Sequence, residues 1–366
     1  MSVRLRTLAN GRCSRAHPGR PDVEFVDDAG AVRGRRAATA RVMTAPGWNA
    51  VSATTWFADV KAISCRTPIG DAIRSLLRIL NVRRRRQADR IEPGDSWFEA
   101  ICESYEHPPV FFAGRRLPGF PPEDLQIRTT GQAGRATLRE ASVFHEDCVS
   151  AFTQHGHPLG SASRLLDFGA GWGRIARFFL RELPIERIHG IDVQPDLIAI
   201  CRETFASRNF TTVDPLPPTS LPDGAFSHVV GYSVFSHLSE AACIGWMEEF
   251  SRLVRPGGMV ALTTRGRPFF DYCQSLQGKG HEGYLGALGA LFKDFDVARA
   301  LYDSGRFVHS NRPEVTGGGI LTGAFYGESF IPKSYAQSAY DRWFELLEFR
   351  FDPLRHSHPI MFFIRR

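Results

Sequence analysis

A short apolar run, a set of alternating glycines and an amphipathic stretch follow one another near the middle of the chain. The apolar run ends at Phe168 and predicts a buried strand, whereas residues 174–180 carry apolar side chains at helical spacing. Gly169, Gly171 and Gly173 therefore lie on a predicted strand-to-helix turn. Glycines there let the backbone turn sharply and approach a ligand, and the free N–H groups of the helix start face that ligand.

The same patterning continues to the end of the chain. It predicts strands at 187–193, 210–213, 228–232 and 259–264, helices at 195–205 and 241–253, and a turn at 255–258 that opens the last of these strands. Residues 345–351 and 359–364 predict a closing β-hairpin. Strands that alternate with helices are typical of an α/β fold with a mostly parallel sheet.

The regions before this alternation differ in character. Residues 1–60 have little periodicity and predict a poorly ordered basic leader over 1–90, with a short helix at 71–86 whose basic end is solvated or contacts a membrane surface or RNA. The leader could also be a transit-like segment or lie upstream of the natural start. Residues 91–160 predict a helical lead-in, and 161–366 the main domain, with an insert at 265–335 that is expected to form a lid or substrate loop.

Charge and cysteine usage narrow the function classes. The net charge of +6 is concentrated in residues 1–90, which hold 18 Lys and Arg against 7 Asp and Glu, while the remainder holds 27 against 32. A basic pI is thus weak support for a nucleic-acid partner. Seven scattered cysteines predict neither a metal site nor a disulfide framework, and the absence of a long apolar run or secretory signal predicts a cytoplasmic protein without a membrane span.

The spacing of the glycines indicates the ligand. A dinucleotide fingerprint would read Gly-x-Gly-x-x-Gly and bind a pyrophosphate, but here the pattern is Gly-x-Gly-x-Gly after Asp167. A carboxylate at that place repels a pyrophosphate and suits a ligand with an ammonium group and a sulfonium. Asp192 follows Gly173 by 19 residues, at the end of the next predicted strand, where a carboxylate can accept both ribose hydroxyls of an adenosine.

These motifs carry a family resemblance. The run Leu-Asp-Phe-Gly-Ala-Gly-Trp-Gly-Arg, with Ser-Val-Phe-Ser-His-Leu and Leu-Val-Arg-Pro-Gly-Gly further on, is similar to bacterial class I S-adenosylmethionine (SAM) methyltransferases. The resemblance covers roughly residues 110–366. It implies a mostly parallel seven-stranded sheet that is flanked by helices and completed by a C-terminal antiparallel hairpin. A dehydrogenase fold does not require such a hairpin. The resemblance further implies SAM as the cofactor and displacement of its methyl group by a nucleophile on the acceptor.

The resemblance also implies a set of site residues. Cofactor contacts are expected from Asp167, Gly169, Ala170, Gly171, Gly173, Asp192, Val193, Asp214 and Ser233. Asp214 could reach the adenine amino group, although the prolines after it depart from the family pattern. At the end of the fourth strand, His237 and Tyr232 are the candidates for base and substrate contact, because imidazole titrates near neutrality. A packing role for His237 is the competing interpretation. Arg128 and Gly131 are expected near the mouth.

The methyl acceptor is the part of the function that the sequence indicates least directly. The long aromatic insert favours a small molecule or a sugar, methylated on oxygen. The alternatives are an inactive methyltransferase-fold protein that binds a partner, a nicotinamide oxidoreductase, and an RNA methyltransferase that uses the basic leader. Nothing in the sequence determines the oligomeric state.

Overall fold

The computed structural model describes residues 96–112 and 115–366. The predicted leader over 1–90 and its helix at 71–86 lie outside the described residues. The elements are α1 (Ser96–Glu106), β1 (Phe111–Phe112), β2 (Arg115–Arg116), α2 (Glu123–Thr130), α3 (Gly134–Gln154), β3 (Leu165–Phe168), β4 (Ile188–Asp192), α4 (Pro195–Thr204), β5 (Phe210–Thr212), β6 (Phe226–Gly231), α5 (Glu240–Leu253), β7 (Val254–Thr263), α6 (Arg267–Leu276), α7 (Gly283–Gly289), α8 (Phe295–Asp303), β8 (Val308–Ser310), β9 (Glu328–Phe330), α9 (Lys333–Ala339), β10 (Phe344–Arg350) and β11 (Ile360–Arg365).

Seven of these strands form one sheet in the order β10-β11-β7-β6-β3-β4-β5. Strands β3 to β7 pair in parallel, whereas β11 pairs antiparallel with both β7 and β10. The predicted fold class and the C-terminal hairpin are therefore confirmed. Because β3 lies between β4 and β6, their carboxyl ends meet at the centre of one sheet edge, where a parallel sheet places its ligand crevice.

Two local predictions are wrong. The stretch after the glycines forms turns and a short 3₁₀ helix at Phe178–Arg181 instead of an α-helix. The cause is that the Ala176 N–H donates to the Asp167 carboxylate at 3.0 Å and so leaves the i→i−4 ladder. The expected turn at 255–258 lies inside β7, as a bulge: Val254 pairs with Phe226, and Met259 with His228.

The insert at 265–335 packs around its own apolar core. Its helices surround Phe330 of β9, whose ring stacks on Phe270 at a centroid distance of 3.9 Å. The insert is attached to the segment after β6, since the N–H of Gly327 donates to the carbonyl of His237 at 2.7 Å. The N–H of Ser329 donates likewise to Ser236 at 2.8 Å. The insert therefore approaches the sheet at the edge where β6 ends.

The lead-in segment packs behind the glycine turn through a buried cation. Arg177 is fully buried, and its guanidinium donates to the carbonyls of Gly173 and Gly119 at 3.2 Å each. It also lies over the ring of Phe120 at 3.9 Å and near that of Trp172 at 4.9 Å. No acidic side chain among the described residues pairs with it, so burial lowers the pKa of Arg177 to about 9.

Within residues 96–112 and 115–366, none of the helices is long and apolar enough to cross a bilayer. The five described cysteines are buried and unpaired: Cys102, Cys148, Cys201, Cys243 and Cys273.

Candidate active site

A cavity of about 440 Å³ opens at the carboxyl ends of β3, β4 and β6. Its floor consists of residues 168–172 from the glycine turn and 191–194 from the end of β4. Tyr232, Ser233 and His237 line it from the end of β6, and the insert contributes further lining residues. The sequence-predicted residues of three strand ends are thus brought together in one crevice.

The three glycines of the turn have different surroundings. All have positive φ values, of 72° at Gly169, 55° at Gly171 and 80° at Gly173. A Cβ on Gly169 would come within 2.3 Å of Val234, and one on Gly173 within 2.4 Å of Phe205, whereas one on Gly171 would meet nothing within 4 Å. Gly169 and Gly173 thus permit close packing, while Gly171 leaves open space on the cavity floor.

Asp192 is oriented by the backbone around it. The Gly171 N–H donates to its Oδ2 at 2.8 Å, and the Gln194 N–H donates to its Oδ1 at 2.9 Å. Burial raises the pKa of Asp192, against these hydrogen bonds, which favour the charged form. The carboxylate lines the cavity, and each oxygen keeps lone pairs for a ligand hydroxyl.

Asp167 lies one layer deeper than the glycine turn. It is fully buried and does not line the cavity. One oxygen accepts from the Ala176 N–H, and the other, Oδ1, has no hydrogen-bond partner among the described residues. Burial raises the pKa of Asp167 to about 7, so near neutrality the group can carry a proton or hold a charge for a cationic partner.

Four further residues predicted to contact a cofactor occupy two places. Ala170, Val193 and Ser233 line the main cavity. Ser233 has a positive φ of 59°, and its N–H donates to the Thr263 hydroxyl at 2.7 Å, which fixes a strained backbone at the end of β6. Asp214 is exposed and lies in a neighbouring surface cleft, which shares Val193 with the cavity.

His237 is buried against the cavity with a defined tautomer. Its Nδ1 lies 2.8 Å from the Gly327 carbonyl, which only accepts, so the neutral ring carries its proton on Nδ1. Nε2 is then the basic nitrogen, 3.5 Å from the Ser233 hydroxyl. The ring stacks on Tyr326 at a centroid distance of 5.1 Å. Burial lowers the pKa of His237, which keeps it neutral near pH 7.

Tyr232 lines the cavity with its ring, but its hydroxyl already has partners. Glu140 and Ser357 hydrogen-bond to it, and burial raises its pKa further. The guanidinium of Arg174 lies 5.0 Å over the ring and is itself paired with Glu140 at 2.8 Å. Tyr232 is therefore placed to contact a ligand through its ring rather than to exchange a proton.

The sequence analysis missed part of the cavity lining. Tyr326, which the sequence suggests as an alternative substrate contact, lines the cavity. Tyr284 and residues 314–316 of the insert also line it, and the sequence analysis did not identify them. They could not be predicted individually because they lie far along the chain from the glycine turn. The aromatic content of the insert was the available indication. Arg128 lines the cavity as predicted and pairs with Asp124, whereas Gly131 ends α2 with a φ of 75°.

A buried polar cluster adjoins His237. Glu328 of β9 is fully buried, and its Oε2 accepts from the Arg265 Nε–H at 2.8 Å. Its Oε1 accepts from the Tyr284 hydroxyl at 2.5 Å and lies 3.4 Å from His237 Nδ1. Arg265 also lies 2.7 Å from His358 through its other guanidinium nitrogen. Neither Arg265 nor Glu328 belongs to the motifs that the sequence analysis identified.

Comparisons with known proteins bear on part of the chain. Residues 166–260 match the family model "Methyltransferase domain". The chain is 31% identical to "Probable fatty acid methyltransferase" of Pseudomonas putida over 28% of this chain and 27% of that one. It is 30% identical to "Ribosomal protein L11 methyltransferase" of Geobacter metallireducens over 29% of this chain and 33% of that one. The chain thus spans only a quarter to a third of these curated relatives.

Solved structures resemble the chain more distantly. Magnesium protoporphyrin IX methyltransferase from Synechocystis PCC 6803, with bound S-adenosylhomocysteine, matches with a TM-score of 0.41 and 14% identity, over 66% of this chain and 92% of that one. A likeness at this level carries no argument about the site or the acceptor. The resemblance to methyltransferases therefore rests on the strand order of the sheet and on the family match over residues 166–260.

Proposed function

We propose that this chain, which carries the class I SAM-dependent methyltransferase fold predicted from its glycine turn, methylates a hydroxyl group of a small molecule or sugar. SAM is the methyl donor of the family that matches residues 166–260. When bound, it supplies a methyl group on a positively charged sulfur that a nucleophile can displace. The tasks left to the protein are to bind, to exclude water and to remove a proton.

The residues of the cavity floor fit such a cofactor. Asp192 offers two oriented carboxylate oxygens at the end of β4, which suits a pair of ribose hydroxyls. Gly171 leaves room beside it that a side chain would fill. The unpartnered Oδ1 of Asp167 lies beneath the same turn and would favour a cationic ligand over a pyrophosphate.

His237 would act as the general base, and its locked tautomer is the observation that carries the proposal. Because Nδ1–H donates to Gly327, the lone pair of Nε2 is free to accept a proton from a hydroxyl in the cavity. Ser233 lies 3.5 Å from Nε2 and marks where an acceptor oxygen could be held. A base that is neutral near pH 7 needs no prior deprotonation.

The enclosure of the cavity favours a small acceptor. The insert contributes Tyr284, Tyr326 and residues 314–317 to the lining of the cavity that also contains His237, and such a lined cavity suits a small ligand. The cation of Arg174, which faces the same space, is neutralised by Glu140. An uncharged acceptor with aromatic or sugar-ring faces suits stacking on the tyrosines.

Calorimetry with SAM, S-adenosylhomocysteine and NAD as separate ligands tests the cofactor. We expect the first two to bind and NAD not to bind. A protein that binds neither SAM nor S-adenosylhomocysteine would overturn the proposal. The acceptor is then sought by measuring S-adenosylhomocysteine release with the small-molecule and the macromolecular fractions of a cell extract. Activity with the macromolecular fraction alone would overturn the assignment of a small acceptor.

A further inference from the structure

The environment of His237 combines two unfavourable conditions for a base. Burial disfavours the protonated imidazole, and the guanidinium of the fully buried Arg265 disfavours it again. A general base must become positively charged when it takes a proton. An opposite charge within a few ångströms counteracts both effects in part. Among the described residues, the carboxylate that meets this requirement is Glu328, whose Oε1 lies 3.4 Å from His237 Nδ1.

We propose that Glu328 is a positioning residue for His237: its carboxylate, held by Arg265 and Tyr284, fixes the strand that orients Nδ1 and offsets the charge that His237 acquires. The inference rests on the proposed function only in that the proton taken up by His237 comes from a hydroxyl group of the methyl acceptor. Gly327, whose carbonyl accepts the Nδ1 proton, directly precedes Glu328. Anchoring the Glu328 side chain therefore also fixes the carbonyl that selects the tautomer.

The hydrogen bonds of Glu328 keep it ionised in this buried site. Burial by itself would raise its pKa, but the charge of Arg265, that of His237 whenever it is protonated, and the hydrogen bonds from Arg265 and Tyr284 outweigh this effect and lower the pKa. Both oxygens are used, Oε2 by Arg265 at 2.8 Å and Oε1 by Tyr284 at 2.5 Å. Glu328 can thus act as a fixed negative charge without exchanging protons itself.

Several other groups act on His237 from the surrounding elements. His309 of β8 and His358, which precedes β11, both lie near enough to interact with it electrostatically, and burial lowers the pKa of each, so they are neutral near pH 7. Tyr326 stacks on the ring, and burial raises its pKa, so it also stays neutral. Arg265 and Glu328 are therefore the charged groups that set the proton affinity of His237.

Tyr284 connects this cluster to the acceptor space. Its hydroxyl donates to Glu328, while the residue itself lines the cavity. An acceptor that contacts Tyr284 thus contacts the residue that holds the charge behind the base. This arrangement places the control of basicity on the insert, since Tyr284 and Glu328 both belong to residues 265–335.

The Glu328→Gln variant tests the charge while preserving the shape of the side chain. We would label histidine with ¹³C and ¹⁵N, assign the His237 resonance by its loss in His237→Gln, and titrate wild type and variant by NMR. We expect the midpoint of His237 to fall by about one pH unit or more, because one opposite charge is removed at contact distance. His189 of β4, whose pKa burial and the nearby Arg164 lower to about 4, serves as an internal control, and its midpoint should be the same in both proteins.

An unchanged His237 midpoint in a folded Glu328→Gln protein would overturn the proposal. The measurement requires neither SAM nor an acceptor. Its failure is therefore distinguishable from a failure of SAM binding, which would overturn the proposed function alone.

A second variant covers the case in which Glu328→Gln does not fold. Tyr284→Phe removes one donor from Oε1 without changing any charge, so Oε1 interacts more strongly with His237 and the midpoint should rise. Tyr105→Phe is the matched control, because the Tyr105 hydroxyl donates to the Glu123 carboxylate in the same manner and neither residue lines the cavity. A His237 midpoint that is equal in the two variants would overturn the proposal.

Discussion

The cavity has two walls that are built in opposite ways. The proposed cofactor wall comes from two consecutive strand ends of the sheet and consists of residues 168–172, 174 and 191–194. The acceptor wall, formed by His237, Tyr284, residues 314–317 and Tyr326, joins the end of β6 to an insert. His237 meets its carbonyl partner Gly327 across 90 positions of the chain, whereas Gly171 meets Asp192 across 21.

The two walls differ in whether backbone groups or side chains determine their geometry. On the cofactor wall, backbone N–H groups orient the carboxylate, and glycines leave the space, so few side chains matter. On the acceptor wall, the proposed chemistry depends on side chains whose partners lie on other elements, with Glu328 and Arg265 buried behind the proposed base. Substitutions on the first wall should therefore change binding, and those on the second should change turnover.

The strongest test of the cofactor wall is Asp192→Ala. Loss of charge-assisted hydrogen bonds to two hydroxyls should cost about 3–6 kcal/mol, which is more than a hundredfold in SAM affinity. Calorimetry would measure this, with circular dichroism to check the fold and Asp341→Ala, a surface variant that removes the partner of Arg366, as control. Unchanged affinity for SAM would remove Asp192 from the cofactor site.

The corresponding test of the acceptor wall is His237→Gln. Turnover should fall by about 10²–10⁴-fold, as expected for loss of a general base, while SAM affinity changes little. Because burial lowers the pKa of His237, wild-type turnover should stay on its plateau below pH 6.5, and the imidazole should protonate only at lower pH. Equal losses in turnover and SAM affinity would make His237 a packing residue and erase the contrast between the walls.

Gly171→Ala sharpens the comparison with a matched control. The new Cβ enters open space on the cavity floor, so we expect SAM affinity to fall about tenfold, or 1.4 kcal/mol. Gly224→Ala imposes a similar backbone strain, with a φ of 59° against 55°, and its Cβ also meets nothing within 4 Å, but it lies outside the cavity. Both variants should lose about 1–2 kcal/mol of folding stability, measured by urea unfolding, and only Gly171→Ala should weaken SAM binding.

The smallest expected effect concerns Asp214. Because its side chain is exposed in the neighbouring cleft, a contact to the adenine amino group would be solvated and worth about 0.5–1 kcal/mol. Asp214→Asn should therefore weaken SAM binding by about two- to fivefold in the same calorimetric titration. A loss as large as that of Asp192→Ala would show that the cofactor wall extends into the neighbouring cleft.

The sequence predicted the elements whose neighbours along the chain pair in space. The strands that end at Phe168 and Asp192, the helix of α5 and the final hairpin follow from periodicity, because local patterning also determines their place in the sheet. The prediction of a helix after the glycines was wrong, because a tertiary contact overrode the local pattern. The Ala176 N–H donates to the Asp167 carboxylate, and the residues that follow the glycines form turns.

The acceptor wall could be predicted only in part. His237 was identifiable because it lies in the segment between a predicted strand and a predicted helix, whereas Glu328 resembles any charged residue of an insert until Arg265 and Tyr284 are placed beside it. Burial of a carboxylate depends on partners far away in the chain, and periodicity contains no information on those partners. The roles of the individual cavity residues therefore remain predictions that the variants above would test.

The buried guanidinium of Arg177 limits how far the chain can be shortened from its N-terminal side. Its carbonyl and aromatic partners come from residue 173 on one side and from Gly119 and Phe120 on the other. A shortened chain that started at residue 161 would lack Gly119 and Phe120 and would partly expose this cation behind the glycine turn that we propose binds the nucleoside. We therefore expect a stable protein to require residues well upstream of the matched region, 166–260.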